Sequence, residues 1–384
     1  MISGSPCWNY YICTVSKKRI IVSVINDLAT DQRVRKVCEA LVEFDYDVLL
    51  VGRKLKTSMP MPETEYATKR MKLIFTKGAA FYAFFNLRLF FFLLFKKADV
   101  LLANDLDTLH ANAWARKFKS KCKLIYDSHE YFTGVPELVQ RPKVQQFWKK
   151  IERKHLPKVD EMYTVNDSIA KLYRDEYGVE MKVVRNISDY RGEVVPVSKE
   201  ELGLPSKFTI IMQGAGINID RGAEEMLEAI KEIPDAVFLI VGSGDVIDIL
   251  KTQVELLEIS ERVIFKGKLP YSEMMKYTSA ADLGVSLDKD TNVNYRFSLP
   301  NKLFDYIHAA TPVMVTDLVE VKRIVEEHRV GIVLEDLEPT TIKEKVERLI
   351  QDKKLYSALV ENTKTASEIL TWENEKKVLK SIYG

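Results

Sequence analysis

The 384-residue chain reads as an α/β protein with two parallel sheets in tandem, each flanked by helices. Three observations predict this. Short apolar, β-branched runs alternate with longer amphipathic stretches, the pattern of parallel strands joined by crossover helices. The alternation lapses in a proline-bearing stretch near the middle of the chain and then restarts. The length suits two ordinary domains better than one.

In the first half, RIIVSVI (Arg19 to Ile25) is a buried strand, and DQRVRKVCEALVEF (Asp31 to Phe44) is a helix with Val34, Val37, Cys38 and Leu41 on one face. DVLLVG, KLIF (Lys72 to Phe75), ADVLLA and CKLIYD are further strands, with weaker ones at EMYTV and KVVR. This gives one Rossmann-like domain over residues 1–191, with 1–18 an irregular extension. Residues 192–207 carry mixed charge and two prolines without helical or strand period, and form the linker. The second Rossmann-like domain, 208–370, has strands at FTIIMQG, AVFLIVGSG, VIFKG, ADLGVSL and PVMVTD. A last helix over 371–384 is expected to pack back on the first domain. Doubly wound halves of this kind bind ligands at the carboxyl ends of their strands, here facing each other across a deep cleft.

Composition excludes several classes. Apolar residues are 46% and charged residues 29%, ordinary for a chain with sizeable cores. A net charge of +2 with scattered lysines gives no nucleic-acid footprint. Cys7, Cys13, Cys38 and Cys122 form no CxxC pair, which points to a reduced, cytoplasmic compartment and away from structural zinc. The opening MISGSPCWNYYICTV lacks the basic start and apolar run of a signal peptide. The most apolar stretch, Ala79 to Phe95, is interrupted by Asn86 and Arg88, short of the roughly 18 consecutive apolar residues of a membrane span. Two readings stay open: a buried helix on the sheet, or a helix dipping into a membrane surface with Lys96 and Lys97 against anionic headgroups.

The most informative segment is SLPNKLFDYIHAATPVMVTD, Ser298 to Asp317. Pro300 suits a first helical turn, where its missing N–H would be unpaired anyway. The N–H groups of Asn301, Lys302 and Leu303 would then point out of the helix start and bind phosphate, with Lys302 adding a full charge. Asp305, one turn on, can accept two hydrogen bonds from a ribose diol. An amphipathic helix without a ligand fits the same letters; the strand–turn–helix context and the Lys302–Asp305 pair favour the site.

This segment closely resembles the donor site of family 4 of the retaining glycosyltransferases, which have the GT-B fold, and the resemblance extends over nearly the whole chain from Lys18. INDLATDQRVRKVCEAL is similar to the family's first loop and helix, which face acceptor and donor phosphates and here carry Asp27 and Arg33. LIYDSHEYF resembles the strand end bearing the active-site histidine, here His129. QGAGINIDRGAEEMLEAI resembles the glycine-containing loop, with Gly214 and Gly216, whose basic residue contacts the pyrophosphate, here Arg221. VIFKGKLPYSEMMKYTSAADLGVSL, with Leu269, is typical of the donor half. The resemblance implies a nucleoside-diphosphate sugar as donor, a hydroxyl acceptor and retention of configuration, with His129 and Asp305 in catalytic roles.

Two positions depart from the family. Its two glutamates are separated by seven residues; here Phe297 stands for the first and Asp305 for the second, and Asp288 or Asp290 is a candidate replacement. Ala215 stands where an arginine is usual. Read on the residues alone, Asp27 is open to a role as a turn aspartate or helix cap, Thr30 looks like the N-cap of the helix that follows, and Gly214, Gly216, Gly242 and Gly244 make no dinucleotide fingerprint. His110, His155, His308 and His328 sit in or near helices and are read as structural. Asp105 in NDLD is an acceptor contact or a helix cap; NDLD and DKD also match a metal-holding Asp-x-Asp, but paired sheets argue against that class.

The expected activity is thus metal-independent, cofactor-free sugar transfer in surface polysaccharide or glycolipid assembly, with the protein cytoplasmic or peripheral at the cytoplasmic membrane face. A GT-B sugar-nucleotide epimerase and a binding homologue without turnover are the alternatives.

Overall fold

The computed structural model describes residues 17–29, 31–188 and 197–384. The extension with Cys7 and Cys13, Thr30 and the first part of the expected linker lie outside the described residues.

The chain runs β1 (Arg19–Asp27), α1 (Gln32–Glu43), β2 (Asp47–Lys54), β3 (Ala67–Lys72), α2 (Gly78–Phe95), β4 (Val100–Asn104), α3 (Leu106–Arg116) and β5 (Lys123–Ser128). It continues through α4 (Pro136–Val139), α5 (Pro142–His155), β6 (Glu161–Thr164), α6 (Asp167–Tyr177) and β7 (Lys182–Val183). These strands form a seven-stranded sheet of order β3-β2-β1-β4-β5-β6-β7. β1 pairs in parallel with β2 and β4, and β2 with β3. Ile20, Ile21 and Val22 of β1 are fully buried, as expected of a strand covered on both faces.

The second half runs β8 (Phe208–Gly214), α7 (Ala223–Lys231), β9 (Ala236–Gly242), α8 (Ile247–Leu256), β10 (Val263–Gly267), α9 (Tyr271–Ala280), β11 (Leu283–Ser286), α10 (Val293–Arg296) and α11 (Asn301–His308). β12 (Val313–Thr316), α12 (Val319–His328), β13 (Gly331–Leu334), α13 (Pro339–Gln351), α14 (Lys353–Ile369) and α15 (Trp372–Tyr383) complete it. Six parallel strands take the order β10-β9-β8-β11-β12-β13. By compactness the chain divides into Met1–Tyr126 and Asp127–Gly384, a division that falls within β5. Within the second unit α15 lies on β6 and β7: Tyr383 Oη is 3.2 Å from Tyr163 Oη, and Lys182 Nζ donates to the Ser381 carbonyl at 3.2 Å.

The structure differs from the sequence reading at several elements. The expected strand KLIF is displaced: β3 ends at Lys72, and Ile74 and Phe75 are exposed. β3 is an edge strand, and an edge needs little apolar sequence, so the apolar run is no guide to it. A sixth strand, β13, follows α12. The cap of α1 is Asp31, whose carboxylate accepts from the Val34 N–H at 3.1 Å.

Helix α2 buries a single stripe, Phe81, Phe85, Leu89 and Leu93, while Leu87, Phe91 and Phe95 are 53%, 49% and 80% exposed. One face of the helix is therefore buried, and it packs chiefly against α3 rather than on the sheet as expected. Its 18 residues have a mean hydropathy of 1.7, long and apolar enough to cross a membrane by length and composition, which a count of uninterrupted apolar residues excludes.

Candidate active site

The second sheet reverses its strand order between β8 and β11, and ligands of open α/β sheets bind at such a switch point, outside the carboxyl ends of the strands. The loop after β8 delivers Arg221 there, and the residue two past β11 is Asp288. Gly222 brings them together: its φ is +74°, and a Cβ on it would sit 2.4 Å from Leu287 Cβ, so the backbone beside Arg221 lies directly on the end of β11. The Lys289 N–H donates to the Asp220 carbonyl at 2.9 Å, and the Thr316 hydroxyl to the Asp288 carbonyl at 2.7 Å.

Two cations converge on one buried carboxylate. Arg221 Nη1 is 2.6 Å from Asp288 Oδ2, and Lys302 Nζ is 3.9 Å from Asp288 Oδ1. Asp288 is 1% exposed, and its Oδ1 makes no hydrogen bond. The Arg221 guanidinium lies 4.3 Å from the Tyr295 ring centroid, a cation–π contact, and its Nε is buried without a hydrogen-bond partner. Burial holds the Lys302 ammonium below the ordinary lysine range, opposed by Asp288 and reinforced by Arg221. Two positive charges against one negative leave a net positive cluster in a largely dry place, which an anion would complete.

Helix α11 starts beside it. Pro300 is the N-cap rather than the first helical residue, and the Leu303 N–H donates to its carbonyl at 3.1 Å. Of the three expected phosphate donors, Leu303 is therefore engaged within the turn, and its side chain is fully buried in the core. Asn301 and Lys302 remain at the helix start, where N–H groups lack intrahelical acceptors. Asp305 is 5% exposed: Tyr271 Oη donates to it at 2.7 Å and Gln213 Nε2 at 3.2 Å. Burial raises its carboxyl above the usual range, and hydrogen bonds from Ser188, Tyr271 and Gln213 oppose that shift. Leu269 is half-buried against the cluster containing Leu303.

The glycine loops are locked to each other. A Cβ on Gly242 would lie 1.8 Å from the Gly214 carbonyl oxygen, one on Gly244 1.9 Å from that of Ile217, and the Ser243 N–H donates to the Gly214 carbonyl at 3.0 Å. Nothing lies within 4 Å of a Cβ built on the exposed Gly216.

His129 follows the end of β5, its Nε2 3.2 Å from the fully buried Asp127. The next turn touches the donor half: Asn294 Oδ1 accepts from the Tyr131 N–H at 3.1 Å, and Asn294 Nδ2 donates to the Tyr131 carbonyl at 3.3 Å. Asn166 Nδ2 donates to the Phe297 carbonyl at 2.8 Å, so the residue standing in the place of a carboxylate contributes its backbone. Asp290 is paired at 2.9 Å with Arg296. Sequence reading missed Gln213, Tyr271, Asn294 and Tyr295; the polar loop after β11 was its one signal.

In the first unit, Asp27 and Asp105 lie at the ends of β1 and β4, the reversal point of that sheet. The Asp27 carboxylate accepts from the Ala29 N–H at 3.3 Å and is 3.8 Å from Arg70. Asp105 occupies the N-cap of α3 with φ 58°, but its side chain makes no cap hydrogen bond, which removes the capping half of its expected role. Arg33 is 6% exposed on the first turn of α1. His308 Nε2 is 2.7 Å from the Leu370 carbonyl, and His155 is buried, as structural histidines are. Among the described residues no three His, Cys, Asp or Glu side chains gather as a metal-ligand set.

Two parallel-sheet α/β domains with a cationic cluster at the second switch point define a nucleotide-sugar glycosyltransferase of GT-B architecture. The family is equally plain: residues 195–366 match the model "Glycosyl transferases group 1" and 31–189 match "Glycosyltransferase Family 4", and the chain belongs with these enzymes. No curated protein matches it closely in sequence. Similar solved structures share the fold at low identity. Sucrose-phosphate synthase from Thermosynechococcus elongatus has TM-score 0.79 at 15% identity, over 96% of this chain and 98% of that one. Anabaena Alr3699/HepE in complex with UDP-glucose has 0.74 at 13%, over 94% and 98%. WaaG, a glycosyltransferase involved in lipopolysaccharide biosynthesis, has 0.72 at 13%, over 95% and 100%.

Proposed function

We propose that the protein moves a sugar from a nucleoside diphosphate to a hydroxyl acceptor, with retention at the anomeric carbon and without a metal ion. The observation that carries this reading is the convergence of Arg221 and Lys302 on Asp288 beside the start of α11. A diphosphate seated there meets two fixed cations and the N–H groups of Asn301 and Lys302, preorganised for the charge that develops as the bond from the anomeric carbon to the phosphate oxygen breaks. The bond's electrons go to the departing diphosphate. The acceptor oxygen then bonds to the anomeric carbon on the same face and gives up its proton to a diphosphate oxygen. His129, held by Asp127, and Asp305 serve the sugar and the ribose in this scheme. The UDP-glucose bound by the Anabaena neighbour supports a sugar nucleotide as ligand.

The exposed apolar face of α2, running into Lys96 and Lys97, supports a cytoplasmic protein seated on a membrane surface, with a lipid-linked or surface-polysaccharide acceptor. The test of the reaction is a thermal-shift screen against UDP-, GDP- and dTDP-sugars. One donor class should stabilise the wild type and fail to stabilise Lys302→Ala; stabilisation by none of them would sink the assignment. The stabilising donor should be consumed only with an acceptor present, which also separates transfer from epimerisation.

A further inference from the structure

Between the cationic cluster and the His129 turn stands α10, four residues whose side chains point both ways. Asn292 caps it, accepting from the Tyr295 N–H at 3.0 Å. Tyr295 is the platform under Arg221. Asn294, the preceding residue, grips the Tyr131 backbone through both its N–H and its carbonyl, and its Nδ2 lies 3.4 Å from Glu130 Oε2. Adjacent residues of one turn thus hold the phosphate arginine on one side and the histidine turn on the other.

The histidine turn is itself anchored. The Ser128 hydroxyl donates to the Glu130 carbonyl at 2.7 Å. The Tyr131 ring packs edge-on against Tyr173 at 5.5 Å, and its hydroxyl is hydrogen-bonded to Glu176. Gly134 leaves room for that ring, since a Cβ there would meet it at 2.6 Å. The loop from Asp288 to Phe297 is half-exposed over much of its length; its ends are held by Thr316 on the Asp288 carbonyl and Asn166 on the Phe297 carbonyl, and Asn294 ties its middle to the His129 turn.

We infer that Asn294 is a positioning residue of the transfer reaction: through α10 it registers the Arg221 end of the site against the His129 end, so that filling the anion cluster tightens the His129 turn. The inference rests on the donor-site reading above. A side-chain amide suits the task because it both accepts from the N–H and donates to the carbonyl of one residue, Tyr131, which neither a carboxylate nor an aliphatic side chain can do. Loss of this grip leaves the cations in place on Asp288 and lets the reacting ends drift, and small misplacement is costly to the chemical step.

Hydrogen exchange at the Tyr131 amide, the group bonded to Asn294, tests this directly, with UDP, GDP and dTDP as probes. In the wild type the nucleotide that binds should slow this exchange by about tenfold. Asn294→Ala should bind that nucleotide with an affinity within about threefold of wild type and show no nucleotide-dependent slowing. Tyr295→Leu leaves the Asn294–Tyr131 bonds intact, and should keep the ligand-free exchange rate while losing the response. With the stabilising sugar donor, Asn294→Ala should lower kcat by about tenfold with KM within about twofold. A wild type that binds nucleotide without slowing Tyr131 exchange overturns the inference, as does an Asn294→Ala protein that keeps the response. A merely structural role would lower thermal stability and nucleotide affinity together, and that result also overturns it. If none of the three nucleotides binds the wild type, the donor-site reading fails and this inference falls with it.

Discussion

Arg221 is bound at 2.6 Å to Asp288, a carboxylate 1% exposed, whereas Lys302 stands off the same group at 3.9 Å. The two cations should therefore respond differently to removal. Arg221→Ala strands a buried anion and should lower ligand-free stability by about 1–3 kcal/mol. Lys302→Ala removes a charge that burial already disfavours, so its ligand-free stability should equal or exceed that of wild type. Both should lose stabilisation by nucleoside diphosphate. Thermal melts with and without ligand check this, and an Arg221→Ala protein as stable as wild type would contradict the pairing.

Asp305 should separate structure from binding. Asparagine can still accept from Gln213, and its amide can donate to the Tyr271 hydroxyl, so Asp305→Asn should lie within about 1 kcal/mol of wild type in stability. It loses the carboxylate that a ribose diol needs, so nucleotide affinity should fall by about tenfold. Asp305→Ala leaves Ser188, Tyr271 and Gln213 without their acceptor and should cost about 1–3 kcal/mol. Calorimetry on the three proteins decides; unchanged nucleotide affinity in Asp305→Asn would remove Asp305 from the site.

The locked loops predict a contrast between two glycines. Gly242→Ala drives a methyl into the Gly214 carbonyl at a φ of +145° and should destabilise by about 1–3 kcal/mol or more. Gly216→Ala meets nothing within 4 Å and should melt like wild type, with any effect confined to ligand binding. Equal melting temperatures for the two variants would refute the packing described.

Glu152 sets a pH dependence. It is fully buried, bonded to Tyr173 and Tyr177, and burial pushes its carboxyl from the reference 4.5 up to about 7. The two tyrosine hydroxyls and Lys149 oppose that shift, and Glu176 adds to it. A raised folded-state pKa means that the folded protein holds a proton the unfolded chain releases, so this stability is complete below pH 4.5 and is lost as pH rises to about 7. The loss is about 3 kcal/mol at most. Glu152→Gln, neutral throughout, should gain on wild type across that window; parallel melting curves at pH 5 and pH 8 would show that Glu152 does not titrate there.

Helix α2 gives the last prediction. Leu87→Glu with Phe91→Glu changes two exposed positions, and should leave the fold intact while abolishing co-sedimentation with anionic vesicles. Phe85→Ala, on the fully buried stripe, should instead cost about 3–5 kcal/mol. Vesicle binding undiminished by the paired glutamates would dismiss the membrane surface.

The amino-acid sequence by itself determined the two parallel sheets, because strands buried on both faces leave apolar runs that recur between amphipathic helices. It also placed Arg221, Lys302, Asp305 and His129 at strand ends and helix starts, since those positions follow from local order along the chain. The partners were decided only by tertiary structure. Asp288 lies 67 residues from Arg221, Gln213 lies 92 from Asp305, and Asn294 lies 163 from Tyr131, and no periodicity carries information over such separations. The strand expected at Lys72 to Phe75 was displaced, and the two readings of α2 stayed open, for the same reason. Whether a residue faces a neighbour or water depends on what the rest of the chain brings beside it.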